Sequence, residues 1–464
     1  MNSKPRSVLT VDDLANHEME AIFSLADTMH ADMKAQYGLC RGMIMASLFF
    51  EPSTRTRLSF EAAMNRLGGS VITAADIEGT SLAKGESIAD MARVVGSYAD
   101  LIVIRHPWEG AAKVVADYSG VPVINAGDGG HEHPTQTLCD LYTLKKEKGS
   151  LKGLKIALWG DLKYGRTTHS LAFALARFGA TILFRSSPGL ELPAHVAKKL
   201  TREYKGELKK YEALGQVVRG GVLPVEAVYM TPDSPHQLAM IPDVSLELEL
   251  ESGVDALYVT RLQKERLSAM TDQEGNPPHY PVVDKKLLGE KGFKEALVMH
   301  PLPRVDELAH DLDADERSMY FRQAARGVPV RMALIAHLLG VKGFPPPPTT
   351  GRGNRSAPYI YRHDSGLICA NPQCVSVQGP EVKYIKQLFH ISSFQPPVLT
   401  CAYCEHEIQP PYIATTEKHE GRGESPKYHN AKSHWTTEIK QENLVFFSSA
   451  EAAEAQGYKP SYYA

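Results

Sequence analysis

At 464 residues the chain exceeds what one compact core normally organises, so several domains are expected. Hydrophobic residues make up 43% and charged residues 23%, which are ordinary globular values, and 51 basic against 54 acidic side chains leave a net charge of -3. That balance excludes a global field for nucleic acid or an anionic membrane, so any anion site must be built locally.

The N-terminal stretch MNSKPRSVLTVDDLANHE lacks an apolar core followed by a small-residue cleavage site, and no apolar run reaches the roughly 18 residues of a membrane span. A cytoplasmic protein is expected. Short apolar runs then recur: MIMASLFF (43–50), DLIVIR (100–105), VPVIN (121–125), KIALWG (155–160), TILFR (181–185) and DALYVT (255–260) read as buried strands. Between them RLSFEAAMNRLG, SIADMARVVGSYA, TQTLCDLYTLKKEKG and THSLAFALARFG space their apolar residues as helices do. Alternating strands and helices predict parallel sheets covered on both faces, with ligands at the carboxyl ends of the strands. The segment around GSLKG (149–153) could separate two such α/β domains.

A last apolar helix, VPVRMALIAHLLG (328–340), closes this part, and GFPPPPTTGRGNRSAP (343–358) reads as an exposed linker. Beyond it the alternation stops and four of the six cysteines appear in two close pairs, Cys369 with Cys374 and Cys401 with Cys404. In a long intracellular chain that pattern favours metal over disulfide, and four thiolates suit one closed, structural Zn²⁺ with no open catalytic position. Cys40 and Cys139 sit in apolar surroundings and are expected in the core.

The candidate chemistry gathers where strands end. If the strand 43–50 stops at Glu51-Pro52 and a helix begins near Ser53, the first-turn amides are unpaired at the positive end of the helix dipole. With the hydroxyls of Ser53, Thr54 and Thr56 and the guanidinium of Arg55 they form a cradle for phosphate. Ser81 and Lys84 in SLAKGES offer a second anion site; Arg105, His133 with Gln136, Arg166, Arg261 with Gln263, and HPLPR (300–304) each follow a strand as well. Any one of these reads as a cap or loop charge; their shared position is what points to a site.

The set FEPSTRTRLSFE, SLAKGES, HPTQTLCDL, GDLKYGR, VTRLQKER and HPLPRVDEL, over residues 5 to 340 and in family order, resembles the catalytic chain of the aspartate carbamoyltransferases. The resemblance implies two parallel-sheet α/β domains of the carbamoyltransferase type, 1–148 for carbamoyl phosphate (completed by helices at 305–340) and 149–304 for aspartate. It implies transfer of the carbamoyl group to L-aspartate in pyrimidine synthesis, by a homotrimer or multiple of trimers with shared active sites. Ser53, Thr54, Arg55, Thr56 and Arg105 resemble the phosphate side; Thr56, Arg105 and His133 would polarise the carbamoyl oxygen, and Gln136 would hold its amide. Arg166, Arg261 and Gln263 resemble the aspartate carboxylate side, Pro301 and Leu302 would offer backbone carbonyls to substrate nitrogen, and Ser81 and Lys84 would enter a neighbouring subunit's site.

The chain departs from that pattern in two places. The interval between Arg166 and Arg261 is longer than the family's, which implies an insertion at about 195–240 within the acceptor domain. After the linker (341–362), residues 363–413 resemble the zinc domain of the bacterial regulatory chain, joined without that chain's nucleotide-binding domain, so no response to CTP or ATP follows. Residues 414–464 are expected to form a small metal-free strand-helix module with no nucleic-acid role. A carbamoyltransferase for another amino acid and an inactive carbamoyl phosphate-binding scaffold are the competing readings.

Overall fold

The computed structural model describes residues 5–75, 81–185, 190–193, 196–197, 199–200, 253–261, 282–341, 360–361, 365–394, 396–416, 426–433, 438–440 and 443–461. Gln263, most of the 195–240 insertion and most of the 341–362 linker lie outside them. The chain divides into two compact units, Met1–Asp76 with Val95–Arg105 and Gly120–Gly353, and Ile77–Val94 with His106–Ser119 and Asn354–Ala464.

The first unit holds two sheets. In one, β1 (Ile44–Phe49) lies between β2 (Ser70–Ala75) and β3 (Leu101–His106), parallel to both, with β4 (Val123–Asp128) outermost in the order β2-β1-β3-β4. In the other, β5 (Lys155–Trp159), β6 (Thr181–Arg185), β7 (Ala256–Val259) and β8 (Leu297–Met299) run parallel in the order β6-β5-β7-β8. The buried strands are the continuous apolar runs of the sequence, as expected for strands covered on both faces. Strand β2 does not stand out in the sequence because it is an edge none of whose residues, SVITAA, is buried.

Both sheets change direction of travel at their second strand, so crevices open beyond the carboxyl ends of β1 with β3 and of β5 with β7. The loops there lead into α2 (Thr54–Arg66) and α6 (Arg166–Arg177), while β4 leads into α5 (Pro134–Lys148). The helix α1 (Asn16–Ala31) and the long α7 (Tyr320–Leu338) pack together, and α7 also packs on α2 and α5. A single buried cluster runs from Met19 and Phe60 through Leu138 and Tyr142 to Ile156, Leu171 and Ile335, so the two sheets share a core.

The second unit contains α3 (Ile88–Gly96, cut at its end by the division), α4 (Ala111–Tyr118) and the C-terminal region. That region has a four-stranded sheet of β9 (Ile360–Tyr361), β10 (Phe389–Phe394), β11 (Pro397–Cys401) and β12 (Glu407–Ile408), and another of β13 (Tyr412–Thr415), β14 (Lys427–Asn430), β15 (Leu444–Phe447) and β16 (Lys459–Pro460) with α8 (Ala450–Ala455). Two backbone hydrogen bonds, Glu109 N–H to Gln373 O and Val375 N–H to Glu109 O, both 2.9 Å, seat the cysteine region beside α4. Asn371 Nδ2 donates to Glu109 Oε2 at 2.6 Å, and the amide of Ile88, opening α3, donates to the buried Glu381 Oε1 at 2.6 Å. Gly110 lies against Tyr403, where a side chain would come within 2.6 Å of the tyrosine Cβ. Among the described residues no helix is long and apolar enough to cross a membrane.

Candidate active site and metal centre

Strand β1 delivers Glu51 and then Ser53, which caps α2 with its backbone while its hydroxyl makes no capping bond. The first turn, Thr54 to Arg57, carries no acidic residue, so its amides and the helix dipole face the crevice uncompensated by charge of their own. Thr56 is buried, whereas Thr54 and Arg55 are exposed at the mouth. Arg55 is depressed below the usual guanidinium value by burial and by the guanidinium of Arg261, which places residues from the ends of β1 and β7 within electrostatic reach of each other. An anion between them relieves that repulsion.

Arg105, the partner of Phe49 in the sheet register, enters from the end of β3 and is nearly buried. Its Nη2 donates to Glu51 Oε1 at 2.9 Å and its Nη1 to the Ala126 carbonyl at 3.2 Å. Arg166, the first residue of α6, donates through Nη2 to Glu51 Oε1 at 2.8 Å and through Nη1 to Glu51 Oε2 at 3.1 Å, and Nη1 also reaches the Gly129 carbonyl. Two arginines, one at the end of β3 and one at the start of α6, are thus fixed by one carboxylate. Gly127, at φ +116, allows this: a Cβ there would stand 2.9 Å from Arg105 Nη1 and 3.4 Å from both Arg166 Cζ and His133 Cδ2.

His133 caps α5, with its amide donating to Ser170 Oγ at 3.1 Å. Burial, with the charges of Arg105, Arg166 and Arg331, holds its imidazole well below the ordinary value, so at neutral pH it is uncharged and carries one N–H to donate. Gln136, half-buried on the first turn of α5, donates its Nε2 to Asp140 Oδ1 at 2.8 Å. After β8, His300 is buried, its Nε2 within 2.9 Å of Glu307 Oε1 and its Nδ1 accepting the Leu302 amide at 2.8 Å. This holds Leu302, a non-glycine residue, at φ 54.

The structure therefore brings Ser53, Thr54, Arg55, Thr56, Arg105, His133, Gln136, Arg166, Arg261, Pro301 and Leu302 into the first unit, at strand ends, in the loops that follow them or in the first turns of the next helices. Ser81 and Lys84 form a short turn in the second unit, with Lys84 exposed. Glu51, Gly127 and Asp140 escape the sequence reading. The first stands in the quoted FEPSTRTR stretch and the second in NAGDGG, within β4, where a glycine inside a strand is a signal of close approach. Cys40 and Cys139 are buried, and burial pushes each thiol up to about 11, which suits core residues.

Cys369, Cys374, Cys401 and Cys404 are all buried, with their sulfurs within 4.8 Å of one another and no disulfide among them. Sγ–Sγ separations of 3.5 Å for Cys369 with Cys404 and 3.7 Å for Cys374 with Cys401 match the edge of about 3.8 Å that four bonds of about 2.3 Å to a tetrahedral centre require. Supporting groups surround them: Ser376 Oγ lies 3.1 Å from Cys374 Sγ, and Gln387 Oε1 accepts from the Cys369 amide at 3.1 Å and from Ser376 Oγ at 3.2 Å. The residues fit a metal held for structure.

Comparison with known proteins agrees with this geometry. Residues 6–146 match the family described as aspartate/ornithine carbamoyltransferase, carbamoyl-P binding domain, and 240–338 its Asp/Orn binding domain. Residues 364–413 match the aspartate carbamoyltransferase regulatory chain, metal binding domain. The aspartate carbamoyltransferase catalytic subunit of Picrophilus torridus is 44% identical over 339 residues, 73% of this chain and 99% of that protein. That of Thermococcus kodakarensis is 44% identical over 346 residues, 74% and 100%. Among solved structures, the catalytic subunit of M. jannaschii aspartate transcarbamoylase aligns at TM-score 0.56 and 40% identity, over 72% of this chain and 98% of that one. The Trypanosoma cruzi enzyme in complex with carbamoyl phosphate aligns at TM-score 0.60 and 35% identity, over 72% and 96%.

Proposed function

The chain belongs to the aspartate/ornithine carbamoyltransferase family, on the branch of the aspartate carbamoyltransferase catalytic subunits, and from that premise we propose how its residues carry the reaction. The chemistry is attack of the L-aspartate amine on the carbonyl carbon of carbamoyl phosphate, collapse of the tetrahedral adduct, and release of phosphate with the amine's proton, leaving N-carbamoyl-L-aspartate, a pyrimidine precursor. No covalent enzyme intermediate is needed. The chain must fix two anions in attack geometry, an effect worth about 7 to 11 kcal/mol when complete.

The first-turn amides of α2, with Ser53, Thr54, Arg55 and Thr56, hold the phosphate, and Arg105 reaches it from β3. Thr56, Arg105 and the neutral His133 donate to the carbamoyl oxygen as it gains charge, each well-placed donor contributing roughly 3 kcal/mol. A neutral imidazole donates without adding charge to the crowded cations. Gln136 and the Pro301 and Leu302 carbonyls accept from substrate nitrogens, while Arg166 and Arg261, with Gln263, bind the aspartate carboxylates through paired guanidinium hydrogen bonds.

The single observation that carries this reading is Glu51 fixing Arg105 and Arg166, one at the end of β3 and one at the start of α6, beside the buried His133. Initial rates with carbamoyl phosphate and either L-aspartate or L-ornithine, for wild type and Arg55→Ala, test it. Turnover with aspartate alone, largely lost in Arg55→Ala, is expected; turnover with ornithine or with neither acceptor overturns it.

We further assign Zn²⁺ to the four cysteines, where it supplies folding energy to a small module and takes no part in the reaction. Ser81 and Lys84 complete the site of a neighbouring copy, which makes the active species a trimer. Mixing inactive Lys84→Ala and Arg105→Ala chains should then restore part of the activity, because a hybrid trimer contains some sites built wholly from intact residues. Mixtures as inactive as their parts remove this assignment.

A further inference from the structure

Asp140 lies one helical turn beyond Gln136 on α5, fully buried, and its carboxylate gathers three donors from three elements. Oδ1 accepts from Gln136 Nε2 at 2.8 Å and from Gln323 Nε2, on α7, at 2.6 Å; Oδ2 accepts from the hydroxyl of Tyr258, on β7, at 2.8 Å. Gln323 passes the connection on, since its Oε1 accepts the His300 amide at 3.1 Å. Gln323 and Tyr258 are buried as completely as Asp140, so no water competes for these bonds.

We propose that Asp140 is a positioning residue for the transfer reaction, which turns the amide of Gln136 and, through Gln323, the turn at His300 to Leu302 so that both present acceptors to the substrate nitrogens. The two ends of a glutamine amide have nearly the same shape, and only hydrogen bonding distinguishes them. Oδ1 remains an acceptor whether or not Oδ2 carries a proton, so it selects the NH₂ end of both glutamines. Gln136 is then left with its carbonyl oxygen toward the crevice, where a carbamoyl NH₂ needs an acceptor. Gln323 is left with its carbonyl oxygen on His300, whose ring in turn fixes the Leu302 amide. One buried carboxyl group thus sets the polarity of two arms that end on the same substrate group, and it links α5, α7 and β7 in doing so.

The inference rests on the assignment of Gln136 to the carbamoyl amide, and the test separates the two. Full-length Asp140→Leu, Asp140→Asn, Gln136→Ala and the double variant Gln136→Ala/Asp140→Leu are compared at saturating carbamoyl phosphate and L-aspartate, with inorganic phosphate binding measured alongside. Asp140→Leu, equal in shape but without an acceptor, is expected to lower kcat about 10- to 100-fold. Phosphate affinity, governed by the α2 end, should stay within about twofold. Asp140→Asn keeps one carbonyl oxygen for both glutamines and should recover most of kcat. In the Gln136→Ala background the loss from Asp140→Leu should shrink to a few-fold, because its principal route of action is gone. Equal losses in both backgrounds, or Asp140→Asn as damaging as Asp140→Leu, overturn the proposal alone. Wild-type kinetics in Gln136→Ala removes the Gln136 assignment, and the proposal with it. Should Asp140→Leu not fold, Asp140→Ala, which leaves room for a water, takes its place in each comparison.

Discussion

Glu51 grips Arg166 with both carboxylate oxygens, at 2.8 and 3.1 Å, and the same Oε1 also accepts from Arg105 at 2.9 Å. The triad joins the end of β1, the end of β3 and the start of α6, so the relative placement of two guanidinium groups depends on one side chain. Each arginine keeps donors beyond those that Glu51 uses, since a guanidinium has five N–H groups.

Glu51→Ala removes the carboxylate that Arg105 and Arg166 share, loosens both and leaves them mutually repelling. A binding group displaced by about 1 Å costs up to about 100-fold in rate, so kcat/KM for L-aspartate should fall by roughly that amount. Arg55 and the α2 amides are untouched, and inorganic phosphate should still protect the variant against thermal unfolding. Unchanged kcat/KM in initial-rate measurements would mean that the arginines hold their places without Glu51.

Gly127 supplies a second check on the same cluster. Alanine there meets a φ of +116 and a Cβ 2.9 Å from Arg105 Nη1, while Gly149, at φ +78, has no atom within 4 Å of a built Cβ. Both substitutions carry backbone strain of about 1 to 3 kcal/mol. Only Gly127→Ala should also raise KM for carbamoyl phosphate, because only there does the new methyl press on Arg105. Equal KM values in the two variants would remove the close-approach argument.

Much of this site was legible in the sequence, because β1, β3, β4, β5 and β7 are apolar runs and polar side chains gather at the end of each. Thr56, Arg105, His133 and Arg166 could be placed at strand ends by that alone. Glu51, Gly127 and Asp140 could not. Nothing local singles out Glu51 before Pro52 or Asp140 within α5; what these two do depends on which residues face them across 54, 115 or 183 positions of chain. The pairing of the cysteine region with Ile88 and Glu109 is invisible for the same reason, although the cysteine spacing itself is local and could be read directly.

The metal centre makes its own prediction. Purified chain should contain about one zinc, and Cys404→Ser should lose it, because three thiolates leave a tetrahedral site open. Metal loss should also be felt at α3: the Ile88 amide, bonded at 2.6 Å to the buried Glu381, should lose hydrogen-exchange protection in the stripped protein. Protection retained without metal would show that residues 365–394 keep their seat on α3 and α4 independently of the cysteines.

Asp140 gives the pH dependence. Burial raises its carboxyl from 3.8 to about 7 against the opposing hydrogen bonds of Gln136, Gln323 and Tyr258 and the charge of Arg331. Between those two values the folded chain holds a proton that the unfolded chain has released, so acid favours folding across that window. Stability contributed at this position therefore declines as pH rises from about 4 to about 7, and the full penalty, of order 4 kcal/mol at its upper limit, stands above pH 7. Asp140→Asn has no proton to release. The excess of its melting temperature over that of wild type should be several degrees larger at pH 8 than at pH 5, while the other titrating groups cancel in the difference. A difference that stays flat from pH 5 to pH 8 would mean that the three donors stabilise the ionised carboxylate fully, with its proton lost as readily in the folded chain as in the unfolded one.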